Sequence, residues 1–149
     1  MTPPAWDDST DERGSAVIEF IIIGILILVP LAYIGMCVMR VQAATVASSL
    51  AVREAGRAFV SADTVGEAQS RAMAAARIAL YDQGFDLPAR SLRVRCPAAG
   101  CLQPESSVQV ELNWSVGLPW LPEFLGKDRT EIPISARRTM PVDTYRGDQ

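Results

Sequence analysis

From Phe20 to Met39 the chain runs for 20 residues without a charge, and nearly all of them are large and apolar. At about 1.5 Å per residue, a helix of that length covers roughly 30 Å, the hydrocarbon thickness of a bilayer. The pattern predicts one transmembrane helix. A soluble core helix is disfavoured, because so uniformly apolar a rod has no polar face and the remaining chain is too small to wrap it. Pro30 falls inside the run, where a membrane helix tolerates it if neighbouring groups satisfy the freed carbonyl. A transporter or pore made from one copy is excluded by the single span.

Residues 40–60 keep a helical composition without proline. A helix from Ser15 to about Val60 would hold 46 residues and extend about 69 Å. Small residues recur every fourth position, Ala43, Ala47, Ala51 and Ala55 on one line and Ala44, Ser48, Val52 and Gly56 beside it. Such lines permit close helix approach. They equally suit packing against the chain's own domain. Ser61 to Gly66 interrupts the pattern. Thr64 with Glu67 reads as a capping box. Ala68, Met73, Ala76 and Leu80 then share one side of a second helix, which runs to about Asp82 and stops at Gly84.

Alternation takes over after that. In Ser107–Val116, Val108, Val110, Leu112, Trp114 and Val116 share one face, and Gln109, Glu111, Asn113 and Ser115 the other. Leu92–Cys96 is a shorter partner. Glu131–Arg138 also alternates, and Pro133 marks it as an edge strand. The apolar stretch Leu118–Gly126 either caps the open core of the sheet or meets a partner subunit or lipid headgroups through Trp120. The leader and the tail Tyr145–Gln149 are expected to be disordered. The pattern therefore predicts an α+β chain: a long N-terminal transmembrane helix, a second helix and a small antiparallel sheet of about three strands. Its divisions are 1–14 leader, 15–39 membrane half of the helix, 40–60 projecting half, 61–142 α+β domain and 143–149 tail.

Composition narrows the function. The 149 residues hold 17 acids and 14 bases, a net charge of -3, which excludes nucleic-acid binding driven by bulk positive charge. Histidine is absent, so Ser-His-Asp and Cys-His catalysis and His-ligated metals are excluded. Lys127 is the one lysine. The carboxylates are scattered without a spacing that pairs them for acid–base work. No catalytic residue, metal site or cofactor is expected.

Cys96 and Cys101 flank a four-residue Pro/Gly turn. A disulfide closing so short a loop is worth about 2 kcal/mol and persists in oxidising compartments. Zinc would need four ligands, and Cys37 lies in the span. The disulfide is the expected state, with free thiols as the alternative.

The junction before the span carries the most specific signal. A hydrophilic leader ends at Gly14, and Glu19 stands five residues later within an otherwise apolar helix. A carboxylate costs about 2.5–3.5 kcal/mol at the centre of a membrane helix and less near its end. One reading places Glu19 at headgroup level. The other places a cut between Gly14 and Ser15, whose new amine neutralises Glu19 of a neighbouring chain. Removing the leader's 4 acids and 1 base leaves 13 of each. A secretory signal peptide cut after Ala43 is disfavoured by the acidic leader and the long span. A lipoprotein is disfavoured by Met36 before Cys37.

Glycine, cut site, glutamate at the fifth mature position and apolar helix together resemble the type IV prepilin signature. The tract Arg13-Gly14-Ser15-Ala16-Val17-Ile18-Glu19-Phe20 is similar to that of TadE/TadF-like pseudopilins of tight-adherence pilus systems. The layout of helix, β-rich segment with a Cys pair and a Val142-Asp143-x-Tyr145-Arg146 ending agrees with it. The resemblance implies a pilin-like fold and a non-catalytic minor pilin or pseudopilin. Processing would fall at Gly14 and Ser15, and assembly would depend on Glu19 and Phe20. It implies as partners a prepilin peptidase, the major pilin, a sister pseudopilin, the inner-membrane assembly platform and the membrane, with no nucleic acid. It places the protein in the cell membrane as a single-pass chain with its C-terminal domain outside, or in the pilus. Basic flanks point the other way, since Arg13 alone precedes the span and Arg40, Arg53 and Arg57 follow it. The Cys pair favours the outside. The alternative function is an uncut, membrane-anchored binding domain, and an anchored enzyme is least supported.

Overall fold

In a computed structural model of the chain, residues 11–98, 100–118 and 131–144 are described. Helix α1 spans Asp11–Val60 and α2 spans Val65–Tyr81. Strands β1 (Leu92–Arg95), β2 (Ser107–Gly117) and β3 (Glu131–Pro141) form one antiparallel sheet in the order β1-β2-β3. This is the expected α+β arrangement of long apolar N-terminal helix, second helix and three strands.

The chain divides into two compact units, up to Val38 and from Met39 onward. In the first, α1 is helical through Pro30, and its large apolar side chains stand exposed from Val17 to Val38. Among the described residues it is the one helix long and apolar enough to cross a membrane. α1 begins earlier than Ser15 and passes through Gly14.

In the second unit, one apolar core joins both helices to the sheet. The lines of small residues serve this core. Ala44, Ala47, Ser48, Ala51, Val52 and Ala55 are buried, and Ala43 is exposed. α2 contributes Ala68, Ala72, Ala76, Ala79 and Leu80. Phe59, Leu112, Val108 and Val110 supply much of the core's volume. Thr64 caps α2 by accepting from Glu67 N–H at 3.3 Å. The Glu67 carboxylate turns to Arg71 at 2.6 Å. Beyond α2 the chain reverses at Gly84, whose φ of +76° suits glycine.

The sheet register sets Val110 between Val94 and Arg138, and Leu112 between Leu92 and Ala136. β3 lies at the edge as its Pro133 requires, and runs to Pro141, beyond the expected Arg138. α1 covers the β2–β3 side and α2 the β1 side. A Cβ on Gly56 would lie 2.6 Å from Met140 Cγ and 3.6 Å from Val110 Cγ2. Gln69 and Met73 of α2 face Leu92 and Val94 across a shallow groove.

Candidate functional site

Three places carry the chemistry legible in this chain. The first is the start of α1. Gly14 and Ser15 lie within the helix, and Glu19 and Phe20 are exposed one turn further on. Phe20 is 78 % exposed, among the most exposed of the large apolar residues. Glu19 has no ion-pair partner among the described residues. A carboxylate without a cation beside it is costly in lipid.

The second place is the β1–β2 connection. Cys96 and Cys101 form a disulfide with their Cα atoms 4.7 Å apart. It closes the turn between the two strands, as the Pro/Gly spacing predicts. Gly100 has φ +125°, a conformation side chains rarely adopt. Cys37 is the free cysteine and is half-buried on α1.

The third place is where α1 meets the sheet just past the apolar run, and sequence reasoning did not anticipate it. Arg40 Nε donates to the Gly117 carbonyl at 3.3 Å. Its guanidinium carbon lies 5.2 Å from the Phe85 ring centroid. Phe85 in turn packs edge-on against Trp114, with centroids 5.4 Å apart and planes at 71°. Trp114 Nε1 donates to the buried Ser48 Oγ at 2.8 Å, and Ser48 donates to Ala44 O at 2.7 Å. The available signal was Arg40 as the first charge after the span and Trp114 as the one aromatic on the inner face of β2. Nothing local tied either to Phe85.

Glu111 departs from the pattern in another way. It lies on the outer face of the sheet, as alternation requires, yet it is only 4 % exposed. Arg95 Nη2 lies 3.2 Å from its Oε2 and Arg137 Nε 2.8 Å from its Oε1. The second contact is close without the alignment of a hydrogen bond. Two largely exposed arginines thus flank the buried carboxylate. Asn113, Ser135 and Arg137 border a depression of about 200 Å³ beside it. This arrangement braces β2 against β1 and β3.

Among the described residues no group of histidine, cysteine or carboxylate side chains is placed to hold a metal. Residues 119–126 of the apolar stretch, the leader up to Thr10 and the tail from Tyr145 lie outside the described residues. Compared with known proteins, the chain matches no family model, no curated relative and no solved structure.

Proposed function

We propose that the chain is a membrane-anchored minor pilin or pseudopilin of a tight-adherence pilus, a structural assembly component rather than an enzyme. The observation that carries this reading is Glu19, exposed near the start of a long apolar helix and five residues beyond Gly14. In lipid that carboxylate needs a cation. A cut between Gly14 and Ser15 supplies one, as the Ser15 amine of an adjacent, staggered helix. Gly14 is the weakest helix former in its turn, about 1 kcal/mol below alanine, so unwinding for a peptidase is easiest there. The Cys96–Cys101 disulfide supports an oxidising compartment, and hence an external C-terminal domain, against the weak bias of the basic flanks. Partners on this reading are a prepilin peptidase, the major pilin, a sister pseudopilin and the inner-membrane platform.

A second reading keeps the leader and makes the chain a plain tethered domain. The continuity of α1 through the Gly14–Ser15 bond favours it. Mass spectrometry of the chain extracted from its native membrane decides between them. Ser15 as the first residue supports pilin-like trimming. Met1 or Thr2 supports the uncut anchor, and Ala44 supports ordinary signal peptidase. Gly14→Ala should block trimming, whereas Glu19→Ala should leave trimming intact and impair assembly. Normal pilus assembly by the Glu19 variant removes the charge-pairing argument.

A further inference from the structure

The outer edge of β3 carries backbone donors that the sheet leaves open. In an antiparallel sheet, successive residues turn their N–H and C=O alternately toward one neighbour and the other. Two bonds fix the phase. Val142 N–H donates to Ser106 O, which continues the β2–β3 ladder, and Asn113 N–H donates to Ser91 O on the β1 side. Even-numbered residues of β3 therefore bond to β2, while Ser135, Arg137 and Thr139 turn outward. Among the described residues nothing accepts from those three N–H groups. Pro133 and Pro141 share the outward phase, so the donor each lacks is missing only at the edge. The open stretch lies between them.

Beside that stretch runs a groove of about 320 Å³, lined by Val46, Ser49, Leu50 and Arg53 of α1 and by Arg138 of β3. Val46 is 64 % exposed and Leu50 36 %. Arg138 is exposed and has no ion pair among the described residues, and Arg53 reaches Glu54 only at 3.9 Å. The groove therefore offers aliphatic surface and two guanidinium groups. An edge with open donors is a template for another strand. A pocket beside it selects alternate side chains of that strand.

A second copy suits this edge poorly. Antiparallel pairing of two β3 edges centred on Arg137 or Arg138 sets arginine against arginine, and like charges directly opposite repel. Sliding the register either way brings Pro133 or Pro141 into the paired stretch, where it has no N–H to give. We propose that the β3 edge takes an extended, acidic strand from another protein, which becomes the fourth strand of the sheet. Main-chain bonds to Ser135, Arg137 and Thr139 hold it. Its groove-facing positions set an aliphatic side chain against Val46 and Leu50, and a carboxylate toward Arg138 and Arg53. Charge complementarity names this occupant, and the proposal rests on neither trimming nor pilus assembly.

The test uses the full chain in non-ionic detergent and a fluorescein-labelled peptide, Thr-Val-Thr-Glu-Thr-Val-Thr, with binding read by anisotropy. Binding should be saturable. Replacing the peptide's glutamate with lysine should weaken it about tenfold or more, as should Arg138→Glu in the chain. Combining the two changes should recover most of the loss. Thr139→Pro removes one outward N–H and should reduce binding several-fold, with the melting midpoint checked by circular dichroism. N-methylation of the peptide tests the unaltered chain. Methyl groups on one alternate set of residues should abolish binding and on the other set should spare it, because only one set turns its N–H toward β3. Absence of saturable binding, or equal effects of the two methylated peptides, overturns the proposal. A dimer in sedimentation that Thr139→Pro dissociates assigns the edge to a second copy and overturns it too.

Discussion

The indole N–H of Trp114 on β2 ends on the hydroxyl of Ser48 on α1, 2.8 Å away and 66 residues distant in sequence. Ser48 is fully buried and donates its own hydrogen bond to Ala44 O. A small polar residue in a helix stripe therefore satisfies the one polar atom that Trp114 brings inside. Ser48→Ala leaves the indole N–H without that partner, at a cost of about 1–3 kcal/mol. Trp114→Phe in the same background should recover part of the loss, because both ends of the bond are then gone. Urea unfolding of the four variants in detergent, followed by far-UV circular dichroism, checks the coupling; strictly additive losses would contradict it.

At Gly56, α1 comes close to Met140 of β3. An alanine there meets Met140 Cγ at 2.6 Å, near the middle of that side chain rather than at its free end. Gly56→Ala should destabilise the domain by about 1–3 kcal/mol, as overpacking does. In a Met140→Ala background the same change should turn neutral or favourable, since alanine exceeds glycine in helix propensity by about 1 kcal/mol. The sign reversal is read from unfolding midpoints of the single and double variants.

Arg95 and Arg137 share the buried Glu111 carboxylate while remaining largely solvated themselves, with side chains 63 % and 66 % exposed. Solvent screening limits each pair, so either arginine changed alone to alanine should cost about 1 kcal/mol or less. Losing both leaves a buried charge without compensation, and about 3–5 kcal/mol is expected. Adding Glu111→Gln to the double variant should restore much of it. A triple variant no more stable than the double would show that the carboxylate was never desolvated in earnest.

Reduction of the Cys96–Cys101 bond tests a smaller term. The loop it closes is five residues in separation, and the chain-entropy account gives about 2 kcal/mol. The reduced protein should melt several degrees lower than the oxidised one, while the β1–β2 register survives. Amide exchange at Val94 and Val110 reports that register directly.

Much of the architecture follows from patterns that repeat along the chain. The span is legible because 20 consecutive residues agree. β2 is legible because its inward residues, Val108, Val110, Leu112, Trp114 and Val116, alternate without a break. Pro133 correctly places β3 at an edge, and Thr64 correctly starts α2. The small-residue stripe was ambiguous because close approach to a neighbouring helix and close packing under one's own sheet ask for the same side chains. Burial resolves it for all but Ala43 in favour of the domain's own core. Glu111 was hidden for a different reason. Alternation reports which face a residue occupies, and burial on an outer face depends on arginines two strands apart. The Arg40–Phe85–Trp114–Ser48 chain was hidden likewise, since its members come from three separate segments, α1, the α2–β1 connection and β2, with no shared period.

One further consequence comes from the way α1 lies along β2. Arg40 meets Gly117, Ser48 meets Trp114, and Gly56 meets Val110. Sixteen helical residues at about 1.5 Å and seven strand residues at about 3.4 Å cover the same roughly 24 Å, so the two elements run side by side in opposite directions. A tug along the axis of α1 is therefore met as shear. Every one of these contacts bears the load together, and none can be peeled away before the next. Tension along that stretch of α1 would leave the domain folded.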